Sequence, residues 1–309
     1  MLCSKGSIVF LFQSITNFHN LEIFVYSPPE NAFNQNFNKM NMLKKSFLLM
    51  GLTLLSAGIF AQSVDDAGAK YNDGNTAFND KDYAAAVTAY TEALNIAEQA
   101  GPDAADLQSK IEKQLTTSYL KQGLSIYKKK DYDGAVAVLE KGYEFAESVN
   151  DTKSVNKFVS VIAQIRSKKG DVLRTEGKLD DAFAEYEQAI ETKPDCVKSF
   201  YGEGMVMKEK GNLEAMMEKM NKVVEFGGDN PKMAKIVAAA KANTARALLA
   251  KAADEFNAEK FEDAGKYINL ATKYAPFDEG TMEIFNQFAD QVKDVPEMAD
   301  AIKKAKENL

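Results

Sequence analysis

The sequence predicts an all-α chain: an α-solenoid of stacked antiparallel helical hairpins, with lengthened helices and a C-terminal capping helix pair. Three observations carry this expectation. From Val64 onward, apolar residues recur at helical spacing in a background rich in Ala, Lys, Glu, Leu and Tyr, with almost no β-branched alternation. One pattern then recurs five times: a small residue, an aromatic or Leu nine later, a small residue at twelve, a bulky one at sixteen and a further position at nineteen. Between the two helices that each copy implies lies a short polar turn.

Residues 1–39 come first and carry none of this. They are crowded with Asn and Phe, such as Asn31, Phe33, Asn34, Asn36, Phe37 and Asn38, and show no sustained period of 2 or 3.6. They read as an upstream extension outside the native start or as a disordered segment, the start being Met1, Met40 or Met42. Over 40–61, Lys44 and Lys45 precede an apolar stretch from Phe47 to Phe60 and then Ala61-Gln62. Basic head, apolar body and small residue are the layout of a secretory signal peptide, with cleavage expected after Ala61. The apolar body of 14 residues is shorter than the roughly 20 that a spanning helix needs. An uncleaved anchor and an internal hydrophobic segment are the alternatives that the same stretch allows. Export to the periplasm or cell envelope of a bacterium is the expected localisation. The whole chain has a net charge of −7; from Gln62 on, 34 basic and 43 acidic residues leave −9. That balance argues against a general affinity for nucleic acid.

Residues 62–309 form the expected repeat domain, with copies near 67–100, 104–149, 155–195, 197–228 and 232–276 and a cap at 280–309. The five anchors are Gly74, Gly123, Gly170, Gly204 and Ala252, followed at twelve by Ala86, Ala135, Ala182, Met216 and Ala264. The last two copies are looser. Small residues at these points let two antiparallel helices approach closely while Tyr90, Leu139, Tyr186, Met220 and Ile268 fill the groove beside them. The turns carry Asp, Asn or Gly where a helix must stop or be capped: Asp80 and Asp82, Asp131, Gly177, Gly211 and Asn212. Steps between anchors are 49, 47, 34 and 48 residues. The surplus of 13 to 15 over the shortest step is close to four helical turns, expected as two turns on each helix flanking a junction. Gly101-Pro102-Asp103, Asn150-Asp151 and Gly227 to Pro231 break between the long helices. Two more helical patterns, 280–292 and 296–306, suit a terminal cap.

The residues exclude much chemistry. His19 is the single histidine and falls outside 62–309, so Ser-His and Cys-His pairs and His-containing zinc sites are excluded there. Cys196 is the one cysteine of that region and reads as a buried bystander. Gly202-x-Gly204 lacks a strand before it and a third glycine, so it reads as helix packing. No catalytic residue, cofactor or metal site is expected. Six of the twelve methionines lie between Met205 and Met233, spaced for core filling.

Gly74-Asn75, Asp82-Tyr83, Ala86-Val87, Tyr90 and Ala93-Leu94 resemble a tetratricopeptide repeat, as does Gly170 through Asp195. The usual early tryptophan is absent, its places taken by Lys70, Tyr119, Arg166, Phe200 and Leu248. The resemblance implies a non-catalytic scaffold binding a protein or peptide through a concave groove lined by the first helices. It places Tyr71, Asn75, Phe78, Lys121, Tyr127, Lys128, Lys168, Arg174, Lys198, Tyr201, Lys208 and Arg246 in that groove. Seven of these are basic, and only Asp171 and Glu209 among the further implied lining positions are acidic. That bias fits an acidic segment as partner. The carboxylate clamp of some relatives would need cations where Tyr71 and Gln164 stand, so it is not expected to be intact. The alternative expectation is a glycan- or nutrient-binding accessory protein, with Tyr71, Phe78, Tyr127 and Tyr201 stacking on sugar rings.

Overall fold

The computed structural model describes residues 63–228 and 230–309, and the signal-peptide and upstream-extension readings therefore lie outside the described residues. Each hairpin tip is built from one piece of backbone chemistry. Lys81, Lys130, Gly177, Gly211 and Glu259 all take positive φ, between 60° and 77°. Each stands seven residues after its anchor, so the five copies share one turn. In four of them the next residue's N–H reaches back to the carbonyl five before it: Asp82 to Ala77, Lys178 to Leu173, Asn212 to Met207 and Lys260 to Glu255. These bonds and the left-handed residue satisfy the orphan carbonyls of the first helix as a Schellman motif does. The second helix starts at the following residue, capped by Asp82, Asp131 or Asn212, whose side chains accept from the N–H of Ala85, Gly134 and Ala215.

Twelve α-helices result among the described residues. The hairpins are α1 (Val64–Asn79) with α2 (Tyr83–Ala100), α3 (Ala105–Lys128) with α4 (Tyr132–Ser148), α5 (Thr152–Thr175) with α6 (Leu179–Thr192), α7 (Val197–Glu209) with α8 (Leu213–Gly227), and α9 (Ala234–Asn257) with α10 (Phe261–Ala271). The cap is α11 (Glu279–Gln291) and α12 (Pro296–Glu307). Helices pack on their chain neighbours, and successive first helices touch across each hairpin. The fold is the all-α stacked-hairpin solenoid that the pattern implies.

The extra length is not shared equally, which corrects the expectation of two turns per helix. At the short junction α6 has 14 residues and α7 has 13. At the long ones α3, α5 and α9 each have 24, while α2, α4 and α8 have 18, 17 and 15. First helices thus gain about three turns and second helices about one or less. The breakers explain it: Gly101-Pro102 directly follows α2, Asn150 at φ 56° stands two residues beyond α4, and Gly227-Gly228 closes α8, which leaves the added residues to the next first helix.

The core follows the anchors. A Cβ on Gly74 would lie 2.5 Å from the Tyr90 ring, one on Gly123 2.5 Å from Leu139, and one on Gly170 2.6 Å from Tyr186. Helix pairs approach at these points to a distance that only a missing side chain permits. Tyr90, Leu139 and Tyr186 are fully buried there, and Met216 and Met220 fill the fourth copy. Where the early tryptophan is missing in the third copy, an ion network ties the edge instead. Arg166 sits 3.1 Å from Glu140 and 3.5 Å from Glu185; Lys169 sits 2.7 Å from Glu185 and 2.5 Å from Asp133. It joins α4, α5 and α6.

Candidate functional site

The first helices α1, α3, α5, α7 and α9 form one layer, and each turns one side away from the second helices packed against it, α1 having only α2. Helical period decides which residues stand on that side. In α3 the packed arc holds Ile111, Leu115, Leu120 and Gly123. Opposite them Lys110, Thr117, Lys121 and Lys128 are exposed and Leu124 is half-buried. In α5 the packed arc holds Phe158, Ile162, Ile165 and Gly170. Opposite them stand Lys157, Gln164, Lys168 and Thr175, all exposed, with Asp171 half-buried. Lys110 precedes Lys121 by eleven residues, as Lys157 precedes Lys168, and eleven residues are three turns. The lengthening of α3 and α5 therefore repeats a lysine on the same face.

Among the described residues Lys110, Lys121, Lys128 and Lys157 make no ion pair, and Lys168 lies 3.7 Å from Asp171. The rest of the expected groove is differently engaged. Arg174 pairs with Glu209 of α7. Lys208 donates to Asn243 Oδ1 at 2.9 Å, and Asn243 donates to the Tyr201 hydroxyl at 3.1 Å. Arg246 reaches both carboxylate oxygens of Asp278 at 2.8 and 2.6 Å, and its Nε donates to Thr281 at 2.9 Å. Lys198 is exposed on α7. These bonds stitch α5, α7, α9 and the cap together. Between α1, α3 and α5 no such side-chain bond is found among the described residues.

Two corrections follow. Arg174 and Arg246 were counted toward the basic bias of the groove, and each is matched by a carboxylate from a neighbouring element. Phe78 and Tyr127 were expected as open aromatic platforms. Both are half-buried and packed edge-on against the second helix of their own hairpin, Phe78 on Tyr83 at 5.4 Å and Tyr127 on Tyr132 at 5.9 Å between centroids. They close hairpin tips. Tyr71 leans on Tyr90 at 5.7 Å, and Asn75 Oδ1 accepts from the Tyr90 hydroxyl at 2.7 Å. Burial pushes the Tyr90 phenol up to about 12. Lys110 and Lys157 were missed by the sequence reading; counting three turns back from Lys121 and Lys168 finds both.

Cys196 is buried, its Sγ 3.3 Å from Ser199 Oγ, and Ser199 and Ser167 share a 2.6 Å hydrogen bond. This small polar cluster sits between α5 and α7, sealed from solvent. No helix of the described residues is long and apolar enough to cross a membrane.

Residues 163–196 match the tetratricopeptide repeat family. That stretch is the third copy, the one in which Tyr186 packs on Gly170. No curated protein matches the sequence. Among solved structures the chain is similar to YrrB, described as a TPR protein with an unusual peptide-binding site, at 19% identity and a TM-score of 0.27, over 55% of this chain and 91% of that one. It is also similar to the TPR domain of P58(IPK), at 13% identity and a TM-score of 0.26, over 79% of this chain and 83% of that one.

Proposed function

We propose that this protein is a non-catalytic scaffold of the bacterial cell envelope that holds an acidic segment of a partner protein along the free faces of α3 and α5. One observation carries the reading. Lys110, Lys121, Lys128, Lys157 and Lys168 line adjacent first helices against two carboxylates on the same faces, Asp106 and Asp171, in a chain of net charge −7. A basic track on an acidic molecule selects partners by charge and speeds their encounter. The stacked-hairpin fold and the tetratricopeptide match over 163–196 support a pre-formed binding surface in place of turnover. The secretory layout over 40–61 supports export. The glycan-binding alternative loses support because Phe78 and Tyr127 are spent on hairpin packing.

The test is fluorescence anisotropy with a labelled glutamate-rich peptide across a salt series, for the parent and for Lys110→Gln, Lys121→Gln, Lys157→Gln and Lys168→Gln combined. Four exposed pairs at about 0.5 kcal/mol each sum to about 2 kcal/mol, near thirtyfold in Kd. Binding that is unchanged by the four substitutions, or flat across salt, refutes the track. N-terminal sequencing of the protein from the periplasmic fraction tests export; a start other than Gln62 refutes the assigned cleavage.

A further inference from the structure

The second helices of the first four hairpins have 18, 17, 14 and 15 residues, but α10 has only 11. It ends at Ala271, and a 3₁₀ turn, Thr272–Tyr274, leads away to Pro276. The N-terminal half of α9 is therefore covered by α8 on one flank and left open on the other. The result is a cleft of about 350 Å³ between α8, α9 and the end of α10. It lies on the second-helix side, away from the lysine track of α3 and α5.

The sequence is built for an opening there. The stripe by which α9 packs runs Val237, Lys241, Ala245, Leu248 and Ala252, at spacings of four, four, three and four. Ala245, Leu248 and Ala252 are fully buried. Lys241 takes a core position in that stripe, at the point where α10 no longer covers it. Met217, Val224 and Leu270 give the cleft apolar walls. Tyr274 folds in from the 3₁₀ turn and donates to Asn221 Oδ1 at 2.9 Å across the cleft. Lys273 stands beside it. Lys219 and Lys222 of α8 and Lys266 of α10 each hold a carboxylate. Lys241 and Lys273 hold none among the described residues.

We propose that this cleft binds a small amphiphilic carboxylate, with the carboxyl group between the ammonium groups of Lys241 and Lys273 and the apolar part against Met217, Val224 and Leu270. Size and lining fit: ligand sites begin near about 300 Å³ and combine apolar walls with a few convergent polar groups. Two unpaired cations on an apolar floor select a single negative head. Either a free alkanoate or the carboxyl terminus of a peptide ending in Leu offers that chemistry.

The experiment uses the full chain with ¹³C-methyl methionine and octanoate as probe. Octanoate is expected to shift the Met217 methyl signal and leave Met205, on the first-helix side, unmoved. Octan-1-ol, and octanoate on Lys241→Met with Lys273→Met, should bind at least tenfold more weakly. Should that double variant misfold, the octanoate and octanol comparison on the parent decides. An acetylated peptide ending in Leu, free or amidated at its terminus, identifies the source. Tighter binding of the free form than of octanoate assigns a peptide terminus, and silence of both peptides with octanoate bound assigns an alkanoate. No shift at Met217 with any probe, octanol binding as well as octanoate, or an unchanged folded double variant overturns the proposal.

Discussion

Gly202→Ala tests the packing logic of the stack at its tightest point. Tyr186, fully buried, lies between Gly170 of α5 and Gly202 of α7. A Cβ at 202 would stand 2.3 Å from Tyr186 Cζ, where ordinary contact begins at 3.4 Å, so the ring would have to retreat by about 1 Å. Gly170 closes the retreat, since its own Cβ position is 2.6 Å from the same ring. The Tyr186 hydroxyl is also held, donating to Asp171 Oδ1 at 2.9 Å. Overpacking costs about 1–3 kcal/mol, and a ring that cannot move places this site at the upper end. The better helix propensity of alanine offsets about 1 kcal/mol, which leaves a net loss near 2 kcal/mol. At roughly 2–4 °C per kcal/mol for a domain of this size, Tm falls by about 4–8 °C. Gly68→Ala is the control, because nothing lies within 4 Å of a Cβ there; alanine should stabilise that helix by about 0.5–1 kcal/mol. Urea titrations followed by circular dichroism at 222 nm read both, and Tyr186→Leu should recover part of the Gly202→Ala loss. A Gly202→Ala chain as stable as its parent would refute the reasoning.

Three further outcomes are expected. Tyr90 titrates at about 12 and Tyr186 is raised further, both through burial first, so the unfolded chain ionises them near 10 while the folded chain keeps them protonated. Stability measured by urea titration should be full below pH 10 and fall as pH rises through 10–12; a flat profile contradicts it. Burial holds the Glu203 carboxyl above its usual range although Lys219 Nζ lies 3.0 Å away. Parent stability should therefore rise as pH drops through that raised value, so Glu203→Gln is more stable than the parent at pH 7 and the two converge near pH 4. Arg246→Ala removes the bonds to Asp278 and Thr281, worth about 1 kcal/mol for a partly exposed bidentate pair, so amide exchange should quicken in α11 first; equal protection there would count against it.

The hairpins were legible because their signals are local. A small residue, a polar turn seven or eight positions later and an Asp or Asn cap are readable in any one copy, and Asp82, Asp131 and Asn212 cap as their side chains require. On the periodic face of α3 and α5 the sequence reading picked out Lys121, Lys128 and Lys168 but not Lys110 and Lys157, which stand three turns back from Lys121 and Lys168 on the lengthened part of each helix. What escaped depends on how distant helices rotate against each other. Arg174 meets Glu209 and Arg246 meets Asp278 across 35 and 32 residues, and neither spacing announces a pair. The sharing of the added turns escaped too, because a step of 47 to 49 residues gives a sum and not its division. Phe78 and Tyr127 misled because an aromatic near a helix end serves either a groove or a hairpin tip, and only the partner ring at Tyr83 or Tyr132 decides.

Uneven helix length gives the wall an uneven rim. With α5 and α9 at 24 residues and α7 at 13 between them, the first-helix layer rises to about 36 Å, dips to about 20 Å and rises again, at 1.5 Å per residue. An extended chain lying along that layer would find a saddle at α7, the lowest place to cross from one side of the molecule to the other. Restoring the missing three turns would raise a parapet there and redirect the path, with every side chain of the basic track left in place.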